Sequence, residues 1–282
     1  MTVRVTYADK TVVANGLKLH YLEWGDPSAP TLIALHGLRG HGHSWDSFSE
    51  SMSGEYHILA LDQRGRGDSD WAPDGQYTAE AYVKDLEGFC EALKLQNFIL
   101  MGHSMGGRNS MAFAARDPSM VNRLIIVDIG PEGDPRGGAR IKSEIVAAQE
   151  EYTSFEELFE AQQKGNPLLS PAVLRRRLTY QTKTLPNGKI GWRYDIEIRR
   201  QWREDKRPPQ EDLWPVIARI PCPTLIVRGM ETDVLPLHVA QRMVQMMPKA
   251  QLAHVERAAH MVMEENPEGF LQGVRDFLKS TA

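Results

Sequence analysis

Cysteine is scarce in this chain: there are two among 282 residues, Cys90 and Cys222, far apart in the sequence. A disulfide framework needs a denser set, so both are expected as buried free thiols. No stretch of about 18 apolar residues occurs, which excludes a membrane-spanning helix of ordinary length. Residues 1–6 lack the apolar core of a secretory leader, and a cytoplasmic location is the resulting expectation. Excess positive charge is missing as well. The formal net charge is −4, which leaves no basic footprint for nucleic acid. Neither a His-x-x-x-His pair nor a Cys-x-x-Cys pair is present, so no metal and no cofactor is expected. Internal repeats and low-complexity runs are absent too. What remains is an ordinary globular composition, 41% hydrophobic and 25% charged, long enough for one large domain with an insertion. The expected partner is a small-molecule substrate, without nucleic acid or membrane; a homo-oligomer stays open.

The patterning alternates short apolar runs with amphipathic stretches. Residues 3–13 and 17–24 alternate in part and flank Asn15-Gly16, which predicts antiparallel strands at a sheet edge. Residues 31–35, 57–61, 97–101 and 124–128 are continuous apolar runs of strand length, as in strands buried on both faces. Helices are expected near 44–52, 79–93 and 108–116. This alternation predicts an α/β fold with a mostly parallel, doubly wound sheet. It breaks at Gly130-Pro131. Residues 132–214 are charged and helical in tendency, most clearly at 154–163 and 171–180, and the strand pattern resumes at 223–229. A helix near 236–247, a strand near 251–255 and a helix at 267–278 close the chain. The expected organisation is a core of residues 1–131 and 215–282 interrupted by a helical cap at 132–214.

One stretch carries the chemistry. Residues 97–107 read as a strand running into Gly102-His103-Ser104-Met105-Gly106-Gly107. A nucleophilic serine must stand at a sharp strand-to-helix turn, and glycines two residues either side supply the room that turn requires. A capping serine in a plain glycine turn would look alike, so the surroundings decide. His36-Gly37, past an early strand, could place the Leu38 N–H beside that of Met105 as a pair of oxyanion donors. Asp233, four residues after Gly229, is the expected acid, with Glu231 and Asp128 as competitors. His260 is the histidine in a loop at the correct end of the sheet, whereas His254 falls in a strand and His238 in a helix. Ser104, Asp233 and His260 then follow the order that suits this elbow.

Taken together, His36-Gly37, Asp62-x-Arg64-Gly65-x-Gly67-x-Ser69, the serine elbow, the Asp233 loop and Ala259-His260 with Glu265-x-Pro267 resemble the α/β-hydrolase fold family over essentially the whole chain. Ala259 stands where relatives usually carry glycine. The resemblance implies an eight-stranded sheet with helices on both faces and a cap over the site. It implies a serine esterase, lactonase or amidase acting through an acyl-enzyme. Serine at 104 argues against the aspartate-nucleophile dehalogenases and epoxide hydrolases. The alternatives are a C–C bond hydrolase of a diketone or ring-fission product, whose representatives often carry asparagine where His103 stands, an enol-lactonase or perhydrolase, and a catalytically silent receptor. Arg108-Asn109-Ser110 resembles the triplet of amide hydrolases in vitamin B6 breakdown, which implies an anionic substrate held by Arg108; a bridge from Arg108 to Asp62 or Asp128 is the competing role. Within the cap, Trp192, Tyr194 and Trp202 are candidate pocket walls, Trp192 foremost. Arg175-Arg176-Arg177 and Arg199-Arg200 read as solvated helix faces.

Overall fold

The computed structural model describes residues 6–281. Positions 3–5 of the first expected strand lie outside them. The chain begins with β1 (Ala8–Ala14) and β2 (Leu17–Trp24), an antiparallel hairpin. Its two-residue turn puts Asn15 and Gly16 at φ 50° and 77°, the left-handed pair that matches strand twist. There follow β3 (Thr31–Leu35), α1 (Asp46–Met52), β4 (His57–Leu61), α2 (Ala79–Ala92), β5 (Phe98–His103), α3 (Met105–Arg116) and β6 (Val121–Val127). An insertion comes next, with α4 (Pro135–Ala147), β7 (Glu151–Tyr152), α5 (Phe155–Gln163), α6 (Pro171–Gln181), β8 (Thr182–Thr184), β9 (Ile190–Trp192) and α7 (Ile196–Arg203). The chain closes with α8 (Trp214–Ile217), β10 (Thr224–Gly229), α9 (Leu237–Met246), β11 (Ala250–Val255), α10 (Val262–Glu265) and α11 (Pro267–Ser280).

The eight-stranded sheet runs β1-β2-β4-β3-β5-β6-β10-β11, and only β2 runs against its neighbours. Successive residues of each central strand enter opposite cores. Phe98 and Leu100 join the core under α2, α3 and α9, while Ile99 and Met101 face the one under α1 and α11. This is why these strands read as unbroken apolar runs. Cutting a fully buried side chain such as Phe113 back to alanine would cost about 3–5 kcal/mol. The helix starts are set locally. Thr78, Asp134, Ser170 and Asp195 each accept a backbone N–H in the first turn of α2, α4, α6 and α7. Cys90 and Cys222 are free and buried.

The insertion leaves the sheet after β6 and returns before β10. It was expected to be helical, and it also contains a small antiparallel sheet in the order β7-β9-β8. Strands of two and three residues are too short to print a period-two pattern. A separate apolar cluster of Tyr152, Leu158, Phe159, Leu169, Leu174 and Leu178 holds it together. Among the described residues, no helix is long and apolar enough to cross a membrane.

Candidate active site

The turn between β5 and α3 has no spare volume. A Cβ on Gly102 would fall 2.3 Å from the Gly106 carbonyl, one on Gly106 2.4 Å from the Leu35 carbonyl, and one on Gly107 2.5 Å from Ile129 Cγ2. Ser104 sits at φ 53°, ψ −116°, a conformation that costs a non-glycine residue about 1–3 kcal/mol. The fold holds it there through Ser104 N–H to the Val127 carbonyl (3.1 Å) and Arg108 N–H to the Ser104 carbonyl (3.1 Å).

Ser104 Oγ lies 3.0 Å from His260 Nε2, and His260 Nδ1 donates to Asp128 Oδ2 at 2.9 Å. The expected acid, Asp233, is not the partner. Its carboxylate takes two hydrogen bonds from Arg140, at 2.6 and 2.7 Å, and is 34% exposed, whereas Asp128 is fully buried. The reason lies in the sheet. β6 and β10 are parallel neighbours, and Asp128 is the first residue past β6, at φ 49°. The loop after β10 supplies donors to that aspartate instead of the acid itself: Gly229 N–H at 3.1 Å and the Thr232 hydroxyl at 2.5 Å. Burial pushes the Asp128 carboxyl up and the His260 imidazole down, toward a neutral pair. Three donors converge on Asp128, oppose that rise and favour its ionised form. His260 then carries its proton on Nδ1 and offers the Nε2 lone pair to Ser104. The third candidate acid, Glu231, lines the cleft without contacting His260 Nδ1.

Met105 opens α3, so its N–H has no intrahelical acceptor. Leu38 lines the same cleft, and among the described residues no acceptor takes its N–H. Gly37 must be glycine, because a Cβ would fall 2.7 Å from His103 Nδ1 and 3.2 Å from Ser104 Cβ. The loop is stitched in place. His36 Nδ1 donates to the Gly37 carbonyl (2.7 Å), His36 Nε2 accepts from Gln63 N–H (3.0 Å), and Asn109 on α3 donates to Gln63 Oε1 (2.7 Å). Burial holds His36 neutral, down at about 4, as that pattern requires. Arg66, which the sequence reading passed over, braces both candidate donors. Its Nε donates to the Leu38 carbonyl (3.0 Å), Nη2 reaches Met105 Sδ (3.6 Å), and Nη1 bonds Tyr82 Oη and the Arg64 carbonyl. It is 1% exposed and has no carboxylate partner among the described residues. His103 also proves structural, since its Nε2 donates to the His260 backbone carbonyl at 2.8 Å.

Two expectations fail. Arg108 lines the cleft, yet its guanidinium is spent on the carbonyls of Gly130, Pro131 and Glu211 (3.0, 3.1 and 2.9 Å) and bridges to neither Asp62 nor Asp128. Trp192 does not line the cleft. It packs with Tyr152 and Tyr194 in the insertion and donates to the Gln149 carbonyl. The cleft, of about 1050 Å³, is walled by the loop 37–40, by α4, by Arg177 of α6 and by Trp202 of α7, the one aromatic candidate of the three that lines it. Arg39 and Arg140 both bond Glu144, and Arg140 also holds Asp233, so adjacent turns of α4 are latched to two core loops. Gly137 permits this approach; a Cβ there would lie 2.1 Å from the Asp233 carbonyl. Among the described residues no group of three or more His, Cys, Asp or Glu side chains could hold a metal ion.

Known proteins share this fold. The model of the alpha/beta hydrolase family matches residues 32–272. An sn-1-specific diacylglycerol lipase from Mus musculus is 30% identical over 264 residues, covering 90% of this chain and 82% of the lipase. The 2-(acetamidomethylene)succinate hydrolase of Mesorhizobium japonicum is 25% identical over 252 residues, with 89% and 88% covered. The crystal structure of an alpha/beta hydrolase from Novosphingobium aromaticivorans superposes with a TM-score of 0.87 at 27% identity, covering 98% and 99% of the two chains.

Proposed function

Because the chain belongs to the alpha/beta hydrolase family, we propose that it cleaves a small-molecule carboxylic ester through an acyl-enzyme on Ser104. The observation that carries this reading is the relay from Ser104 Oγ to His260 Nε2 and from His260 Nδ1 to Asp128. His260 takes the serine proton as Oγ attacks the carbonyl carbon. The Leu38 and Met105 N–H groups donate to the resulting oxyanion, where loss of one such donor typically costs about 10²–10³ in rate. Asp128 stabilises the imidazolium, which then returns the proton to the leaving alkoxide. Water enters and gives a proton to His260 as its oxygen bonds the acyl carbon; the bond to Oγ then breaks, His260 returns the proton to Ser104 Oγ, and the acid leaves. The insertion acts as the cap, since α4 and α6 contribute walls to the cleft. A relative named a diacylglycerol lipase supports ester chemistry.

Labelling with a fluorophosphonate, followed by peptide mass spectrometry, tests the proposal directly. An adduct on Ser104, and loss of esterase activity in Ser104→Ala, are expected. Unlabelled Ser104, or full activity in the alanine variant, would overturn it.

A further inference from the structure

Of the guanidiniums that line the cleft, three act by charge on His260, and two of these are answered by carboxylates: Arg140 by Asp233 and Glu144, Arg39 by Glu144. Arg177 differs. It is 8% exposed, and its nearest polar partners are Asn166 Oδ1 at 3.4 Å and Glu264 Oε2 at 3.7 Å, both reached by Nη1. Its Nε and Nη2 have no hydrogen-bond partner among the described residues. Glu264 answers it weakly, because that Oε2 is buried without a hydrogen bond and burial pushes its carboxyl toward the protonated form.

Arg39 is the neighbour across the cleft. Burial first, and the Arg177 charge second, push the Arg39 guanidinium down. The backbones that carry them are tied together: Gln181 of α6 donates to the Arg39 carbonyl (2.5 Å), and His41 bonds the Arg177 carbonyl (3.3 Å). Arg39 shares its one carboxylate, Glu144, with Arg140, and Arg177 keeps an unused planar donor edge in the same cleft, an arrangement that an anion completes.

We propose that Arg177 and Arg39 form a carboxylate subsite, so that the ester cleaved at Ser104 carries a second, free carboxylate. This rests on the acyl-transfer reading above. The fork of Arg177 Nε and Nη2 matches the two oxygens of one carboxylate, and Arg39 supplies the second charge.

Matched substrates test the subsite from both ends of the ester. 4-Nitrophenyl hydrogen adipate against 4-nitrophenyl hexanoate puts the charge on the acyl side; 4-acetoxybenzoate against its methyl ester puts it on the alcohol side. In one pair the anion should be favoured about 10- to 100-fold in kcat/KM, the worth of a charged hydrogen-bonded contact. In Arg177→Met and in Arg39→Gln that ratio should collapse toward one, mainly through KM. Equal or better use of the neutral ester in both pairs, or a ratio that survives both substitutions, overturns the proposal. Should a variant not fold, competition in the unmodified enzyme reads the same site: adipate should inhibit hexanoate-ester hydrolysis competitively and hexane-1,6-diol should not, and equal inhibition by the two overturns it. Fluorophosphonate labelling of Ser104 does not depend on substrate charge. An unlabelled serine removes the acyl-transfer reading, whereas a labelled enzyme indifferent to the anion removes only the subsite.

Discussion

The loops leaving β6 and β10 each bring an aspartate to the neighbourhood of His260, and they place it oppositely. Asp128 is sealed, accepts from Gly229, Thr232 and His260, and among the described residues has no lysine or arginine in contact. Asp233 is a third exposed and locked in a two-point ion pair with Arg140. A carboxylate orienting an imidazole must be unscreened and held by neutral donors; one pinning a cap helix needs a cation and tolerates water. The comparison breaks most visibly by substitution. Asp128→Asn should lower kcat by about 10³–10⁴, as when the orienting acid of a triad is lost. Asp233→Asn should stay within about threefold, since it loses a partly exposed ion pair of roughly 0–1 kcal/mol. Steady-state kinetics on any activated ester reads both, and the reverse ranking would reinstate Asp233.

That ranking marks where the sequence was legible. Ser104 writes its demands locally, as glycines that its own turn requires at fixed spacing. His260 was readable because it is the histidine past the last strand. The acid leaves no such mark. It needs only to reach His260 Nδ1 in space, and the adjacent ends of β6 and β10 both satisfy that. The sheet itself was legible because its central strands are apolar on both faces, while β7, β8 and β9 were too short to register. The run Arg175-Arg176-Arg177 misled for a geometric reason. Successive residues of a helix point about 100° apart. Arg175 therefore pairs with exposed Glu156, Arg176 reaches Ser47, and Arg177 turns inward. Arg199 behaves likewise, buried against the last carbonyls of α4. A charge run was read as one solvated face when it spans several.

Arg66 sharpens the contrast between sealed and open charge. It is a fully buried cation beside both oxyanion candidates, and it holds the Leu38 carbonyl. Arg66→Met keeps much of the volume and removes the charge and the brace. It should lower kcat by about 10- to 100-fold, less than the full loss of an oxyanion donor. KM for a neutral ester should move little by comparison. A melting curve taken alongside distinguishes the two roles: a large fall in stability with unchanged kcat would make Arg66 a structural cation only.

The smallest effect separates the two ends of the Arg140–Asp233 ion pair by sign. Burial pushes His260 down to about 4, with the Arg140 charge adding to the fall and the Asp233 charge opposing it. The active form has neutral His260, so kcat/KM is lost as pH falls through the folded-state value. That loss is the acidic limb of the pH profile. Removing Arg140, as in Arg140→Ala, deletes a cation that disfavours imidazolium, and the limb should move up. Asp233→Asn deletes an anion that favours imidazolium, and the limb should move down. Opposite shifts from the two ends of one ion pair make Asp233 a distant charge acting through space. A shift in the same direction would show that both substitutions act by loosening α4 over the cleft.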